Sequence, residues 1–189
     1  DGSTSMENVI GGLGEAFQGA NSNITFTYNP TGSGSGIQAV QEGRCDIGLS
    51  SRSLKQEEAD SGLTGTVLAY DGIALVVHPD NPVTDLDVDT IARLYTGEIT
   101  NWKEVGGDDV DIVPFQRNEE AGSQTAMKKL VMGDLPLMEA PKEYVSGAMG
   151  DLVEVIASYN DSAAAIGYTV YYYAHDMKMA DGLKILAVD

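Results

Sequence analysis

Three short stretches rich in glycine and hydroxyl residues could do chemistry together: GSTSM at 2–6, TGSGSG at 31–36 and AGSQT at 121–125. Each opens a helix-like pattern, and Arg117 lies five residues before Gly122. The first turn of a helix leaves backbone N–H groups unpaired and carries the positive end of the helix dipole. Glycines let a ligand approach that backbone, hydroxyls add donors, and a guanidinium grips two oxygens at once, so the combination describes an anion site. Any one of these loops also reads as an ordinary Ser/Thr helix cap. The recurrence, beside an arginine in a chain with only 11 Lys and Arg, favours one shared site. In open α/β sheets ligands bind where strand C-termini meet helix N-termini, and all three loops hold that place in their units.

Other chemistries have less support. Gly34, Gly36 and Ala39 fit a loose G-x-G-x-x-A dinucleotide pattern, which leaves the other two loops unexplained, and no Walker Gly-Lys-Ser/Thr is present. Ser33 and Ser35 do not complete G-x-S-x-G, and neither histidine shares a short motif with a serine, so no hydrolase triad is indicated. With one cysteine, Cys45, and the widely spaced His78 and His175, no intrachain disulfide or zinc spacing exists. No cofactor or metal is expected. The formal charge of −18 repels nucleic acid and anionic lipid.

The elements that must position these loops alternate. Met6, Val9, Ile10, Leu13 and Phe17 recur at helical spacing after a Thr4/Glu7 capping-box pair, predicting a helix from about Ser5. ITFTYN at 24–29 and CDIGLSS at 45–51 read as strands around a helix over IQAVQEGR. A short polar helix follows in SLKQEEADSG, then a long strand-like run, TVLAYDGIALVVHP at 66–79. Val88, Ile91, Ala92 and Tyr95 form one helical face, DIVPFQR a strand, SQTAMKKLVMG and DLVEVIASY helices, AAIGYTVYYYA a second long strand, and GLKILAVD a closing one. Strands alternating with helices imply mainly parallel sheets flanked by helices, and two long strands imply two lobes joined by a hinge.

The segments GSTSMENV, YNPTGSGSGIQAVQEGRCDIGLSSRSLK, LYTGEITNWKEVGG, QRNEEAGSQTAM and AAIGYTVYYYA resemble, in order and over nearly the whole chain, the phosphate-binding receptors of bacterial ABC uptake transporters. The resemblance implies a two-lobed, periplasmic-binding-protein-like (type II) α/β fold. It implies inorganic phosphate held dehydrated between the lobes without catalysis, and delivery to the membrane permease of an ABC importer. By motif, Thr4 and Ser5 correspond to the first loop of donors, Ser33 to the hydroxyl of the second, and Ser51 to the next contact. Arg117 corresponds to the ion-pairing arginine, and Gly122, Ser123 and Gln124 to the helix start that supplies further donors.

Some members of that family place an aspartate where Ser51 stands, to accept the proton that phosphate carries and sulfate lacks, and many place serine where Ala121 stands. Another acceptor is then required, and Asp71 in the expected hinge strand is the candidate, a turn aspartate bonded to nearby backbone being the alternative. The lobes are expected at 1–72 plus 170–189 and at 73–169, with the ligand cleft between them. The resemblance implies an extracellular, cell-surface or periplasmic monomer, its signal peptide or lipid-anchor cysteine lying upstream and its first strand trimmed or replaced. Two alternatives stay open: a receptor for another oxyanion such as sulfate, molybdate or a phosphonate, and a phosphoester hydrolase or phosphate-sensing interaction module.

Overall fold

The computed structural model describes residues 1–159, 162–176, 178 and 181–189. Two compact units emerge: residues 1–69 with 120–122, and residues 70–119 with 123–189.

In the first unit a helix, α1 (Glu7–Ala20), follows a single 3-10 turn at Thr4–Met6. The anticipated Thr4/Glu7 capping box is absent, since residue 4 already lies inside that turn and Ser3 occupies the cap position without a side-chain capping bond. The short helices α2 (Ser33–Gln41) and α3 (Gln56–Asp60) complete the unit. The two anticipated strands do not form; beside them stand only single parallel bridges, Gly2 with Pro30 and Gly2 with Leu49. Residues 1–3 thread between them: Gly2 N donates to Asn29 O at 3.1 Å, Ser3 N to Leu49 O at 2.9 Å, and Leu49 N to Asp1 O at 2.9 Å. Three parallel segments therefore end together, the first running into GSTSM, the second into TGSGSG and the third into Ser50 and Ser51.

The apolar stripe of α1 is not a core face. Ile10 and Gly14 are buried, whereas Val9, Leu13 and Phe17 are exposed. Periodicity identifies residues that share a face; Phe26 meets α1 at Gly14, and Val9, Leu13 and Phe17 stay exposed.

The second unit is built on a four-stranded sheet. The strands of the unit are β1 (Ile73–Val77), β2 (Asp85–Leu86), β3 (Val113–Pro114), β4 (Gln116–Arg117), β5 (Val145–Ser146), β6 (Ala165–Val170), β7 (Lys184–Ile185) and β8 (Ala187–Val188). The main sheet runs β3-β6-β1-β7, with β1 antiparallel to both β6 and β7 and β3 parallel to β6; β2 pairs β8 and β4 pairs β5, both parallel. The architecture is α/β as expected; the two-stranded sheets are parallel, and the four-stranded sheet is mixed. Both faces of β1 are covered, which is why IALVV reads as a continuous apolar run. Leu75 and Val77 join Ile91, Leu94, Tyr95 and Trp102 on one side, and Val76 joins Leu152 and Ile156 on the other.

The helices α4 (Val88–Thr96), α5 (Gly122–Met127) and α6 (Met149–Ser158) carry that packing. Asp87 Oδ1 caps α4 by accepting from Thr90 N at 2.7 Å, and Gly97 ends it with φ of 81°. Residues 66–72 do not extend the β1 ladder, and β6 stops at Val170, where the chain winds into a π-type turn at Tyr172–Asp176. The segment 170–189, expected with the first lobe, belongs to the second unit, because β7 pairs with β1 and β8 with β2.

Candidate oxyanion site

In the first unit the loop residues converge. The hydroxyl of Ser3 donates to Ser51 Oγ at 3.0 Å, Ser51 Oγ lies 3.2 Å from Ser33 Oγ, and the Ser51 backbone N–H donates to Ser33 Oγ at 3.1 Å. Ser3 is 2% exposed and Ser33 is fully buried. Ser33 opens α2 after Gly32, whose φ of 96° is a conformation that side chains rarely adopt. The run of small residues has a packing cause: a Cβ on Gly36 would stand 2.5 Å from Gly2 Cα, and one on Gly34 would overlap the Glu120 carboxylate. Gly122 belongs to the same cluster, for a Cβ there would overlap Ser51 Oγ and come 2.8 Å from Ser33 Oγ. Thr4 is buried and Ser5 half-buried at the end of the first loop.

Just below Ser51, Arg52 and Glu58 form a two-pronged ion pair that pulls the Glu58 carboxyl down to about 2. Ser50 Oγ donates to Arg52 O at 2.8 Å, closing the turn that carries Ser51.

In the second unit Arg117 is 2% exposed at the end of β4. Its Nε donates to Ser146 O at 3.2 Å, one Nη to Gly147 O at 3.0 Å, and the other to Ser123 Oγ at 3.4 Å and Met149 Sδ at 3.3 Å. These acceptors fix the plane of the guanidinium. Burial pushes its pKa below the ordinary arginine value, yet a guanidinium stays charged near neutral pH. Gln124 Oε1 accepts from Arg117 N at 3.3 Å and from the Tyr168 hydroxyl, and Arg117 N also donates to that hydroxyl at 3.0 Å. Ser123 and Gln124 are 1% and 2% exposed. A cavity of about 620 Å³ in this unit is lined in part by Arg117, Asn118, Gln124 and Lys128.

Of the predicted residues, Ser33, Ser51 and Gly122 thus come together in one unit, and Arg117, Ser123 and Gln124 in the other. Asp71 has the backbone-bonded role: its Oδ1 accepts from Gly72 N at 2.8 Å and Tyr172 N at 3.2 Å, tying the start of β1 to the chain leaving β6. Two residues escaped the sequence reading. Ser3 was visible inside GSTSM but overshadowed by its neighbours, and Tyr168 gave no local signal, since its link to Arg117 spans 51 positions. Among the described residues no cluster of His, Cys, Asp and Glu could hold a metal ion, and no helix is long and apolar enough to cross a membrane.

Residues 1–187 match the model of the PBP superfamily domain. The chain is 31% identical over 192 residues to the phosphate-binding protein PstS of Borreliella burgdorferi, covering all of this chain and 68% of that protein. It is 30% identical to the phosphate-binding protein PstS of Bacillus subtilis, covering 97% of this chain and 61% of that one. Among solved structures, a substrate-binding protein assigned to phosphate ABC transport in Clostridium perfringens, with bound phosphate, superposes with a TM-score of 0.88 at 36% identity, covering 100% of this chain and 74% of that one. An ABC-type phosphate transport receptor from Vibrio cholerae gives a TM-score of 0.76 at 29% identity, covering 99% and 74%. The chain thus spans about two thirds of the length of these curated relatives.

Proposed function

The chain belongs to the PBP superfamily and to its phosphate-binding receptors, and from that premise we propose that it binds inorganic phosphate and passes it to an ABC importer. The observation that carries this reading is a set of anion donors in each unit: the Ser33 and Ser51 hydroxyls beside Gly122 in one, and the buried Arg117 guanidinium in the other. Gly122 packs against the Ser33 and Ser51 hydroxyls, while the next residue, Ser123, accepts from Arg117. An oxyanion that these donors engage favours the conformation that presents them. A permease that recognises the ligand-bound form receives loaded receptor. The relatives' names describe binding and transport, in keeping with a site of donors that does no bond chemistry on this chain, and with a receptor working outside the cell or in the periplasm.

Energetics agree. Hydrogen bonds to a charged group contribute about 1.5–3 kcal/mol each, so four or five reach the roughly −8 kcal/mol of micromolar affinity. Desolvation disfavours the charged form of Arg117, and a bound anion offsets that cost. The acidic surface repels phosphate only weakly beyond a screening length of about 8–10 Å.

Titration calorimetry with phosphate tests the proposal: the protein gives saturable heat at micromolar concentration, and Arg117→Lys, which keeps charge but loses the planar fork, weakens binding at least tenfold. A folded protein that gives no heat with phosphate contradicts it.

A further inference from the structure

Selecting phosphate over sulfate requires an acceptor for the proton that only phosphate carries. Asp71 spends Oδ1 on two backbone N–H groups, and no carboxylate stands at position 51. The hydroxyl cluster itself has the needed capacity.

A serine hydroxyl has one proton to donate and two lone pairs that accept. On Ser51 one lone pair is filled by the Ser3 hydroxyl, and on Ser33 one is filled by the Ser51 backbone N–H. The contact between Ser33 Oγ and Ser51 Oγ consumes one proton and one further lone pair, whichever oxygen donates. What remains on the pair is the same in both directions: one donor and one acceptor. If Ser51 donates, Ser33 keeps the outward proton and Ser51 the outward lone pair; if Ser33 donates, the roles exchange. Offering two donors to a ligand requires breaking the Ser33–Ser51 bond.

We propose that Ser3, Ser33 and Ser51 form a hydroxyl chain that presents a bound oxyanion with one donor and one acceptor, and so selects protonated phosphate over sulfate without a carboxylate at position 51. Sulfate has no proton to give the acceptor, and it meets lone pair against lone pair unless the serine pair separates. Ser3 is a positioning residue here: its proton fills one lone pair of Ser51 and thereby limits the pair to a single outward acceptor. The lack of a side chain at Gly122 lets that backbone lie against the pair.

The inference rests on the phosphate-binding reading, and the experiment separates the two. Phosphate and sulfate are titrated by calorimetry into wild type, Asp71→Asn, Ser33→Ala/Ser51→Ala and Ser51→Asp, each checked for folding by thermal melting. Failure of wild type to bind phosphate sinks the functional reading itself. With wild type binding, the phosphate-to-sulfate affinity ratio stays within about twofold in Asp71→Asn and falls about tenfold in the double alanine variant, the worth of one net hydrogen bond. In Ser51→Asp, where a carboxylate adds acceptors, the ratio rises, and this variant decides the matter if the double alanine variant binds neither anion. A ratio that collapses in Asp71→Asn, survives in the double alanine variant, or fails to rise in Ser51→Asp overturns the proposal.

Discussion

Arg52 and Glu58 meet fork to fork, with Nη1 to Oε2 at 2.8 Å and Nη2 to Oε1 at 2.7 Å, and their side chains are only 9% and 11% exposed. Glu58 Oε2 also accepts from Lys55 N at 2.7 Å. The pair therefore ties the turn carrying Ser51 to the start of α3, and Arg52 is engaged there by a carboxylate rather than offered to a ligand.

That pair makes stability depend on acid in a defined direction. The Arg52 hydrogen bond, followed by the Lys55 backbone N–H, holds Glu58 from an ordinary 4.5 down to about 2, against the opposing effect of burial. A carboxyl lowered on folding contributes in full above its unfolded value and loses that contribution as pH falls toward the folded one. Glu58→Gln is expected to cost about 1–3 kcal/mol at neutral pH. Denaturant midpoints should show the gap between variant and wild type constant above the ordinary carboxyl range and shrinking as pH drops through it. A gap independent of pH would remove the ion pair as its cause.

Gly122→Ala places a methyl on Ser51 Oγ and near Ser33 Oγ. Overpacking of this kind costs about 1–3 kcal/mol, and because the displaced atoms are the proposed donors, phosphate affinity should fall at least tenfold. Gly11, whose Cβ would meet nothing within 4 Å, is the control: Gly11→Ala leaves the affinity unchanged. Equal behaviour of the two variants in calorimetry would show that nothing binds against Gly122.

Tyr168→Phe keeps the ring that meets Tyr95 edge-on at 5.6 Å but removes the hydroxyl shared by Arg117 N and Gln124. Arg117 N is left with Gln124 Oε1 at 3.3 Å. A loss of about 1–3 kcal/mol in stability is expected for a buried polar group stripped of a partner, together with weaker phosphate binding as Gln124 loses its anchor. Unchanged values in both denaturation and calorimetry would contradict the assignment.

Much of this was legible in the sequence. Glycine and serine at the starts of α2 and α5 announced donor loops, Arg117 stood out by its rarity and place, and Ile91, Ala92 and Tyr95 marked the buried face of α4. What escaped depends on partners distant in the chain. The stretches 24–29 and 45–51 have strand-like patterns, but the segment between them contributes a single bridging residue, Gly2. The end of the chain, GLKILAVD, carries the same apolar text whichever unit it joins, and pairing with β1 and β2 decides the matter. By sequence Asp71 was the candidate proton acceptor in an expected hinge strand, with a backbone-bonded turn as the alternative, and two backbone N–H groups claim its Oδ1. The hydroxyl of Tyr168 reaches Arg117 only after β6 has entered the sheet beside β1.

The most direct test is a crystal structure of the protein grown with phosphate. One tetrahedral anion is expected within hydrogen-bond distance of the Ser33 and Ser51 hydroxyls. No anion against those hydroxyls, or an anion bound only elsewhere, would contradict the proposal.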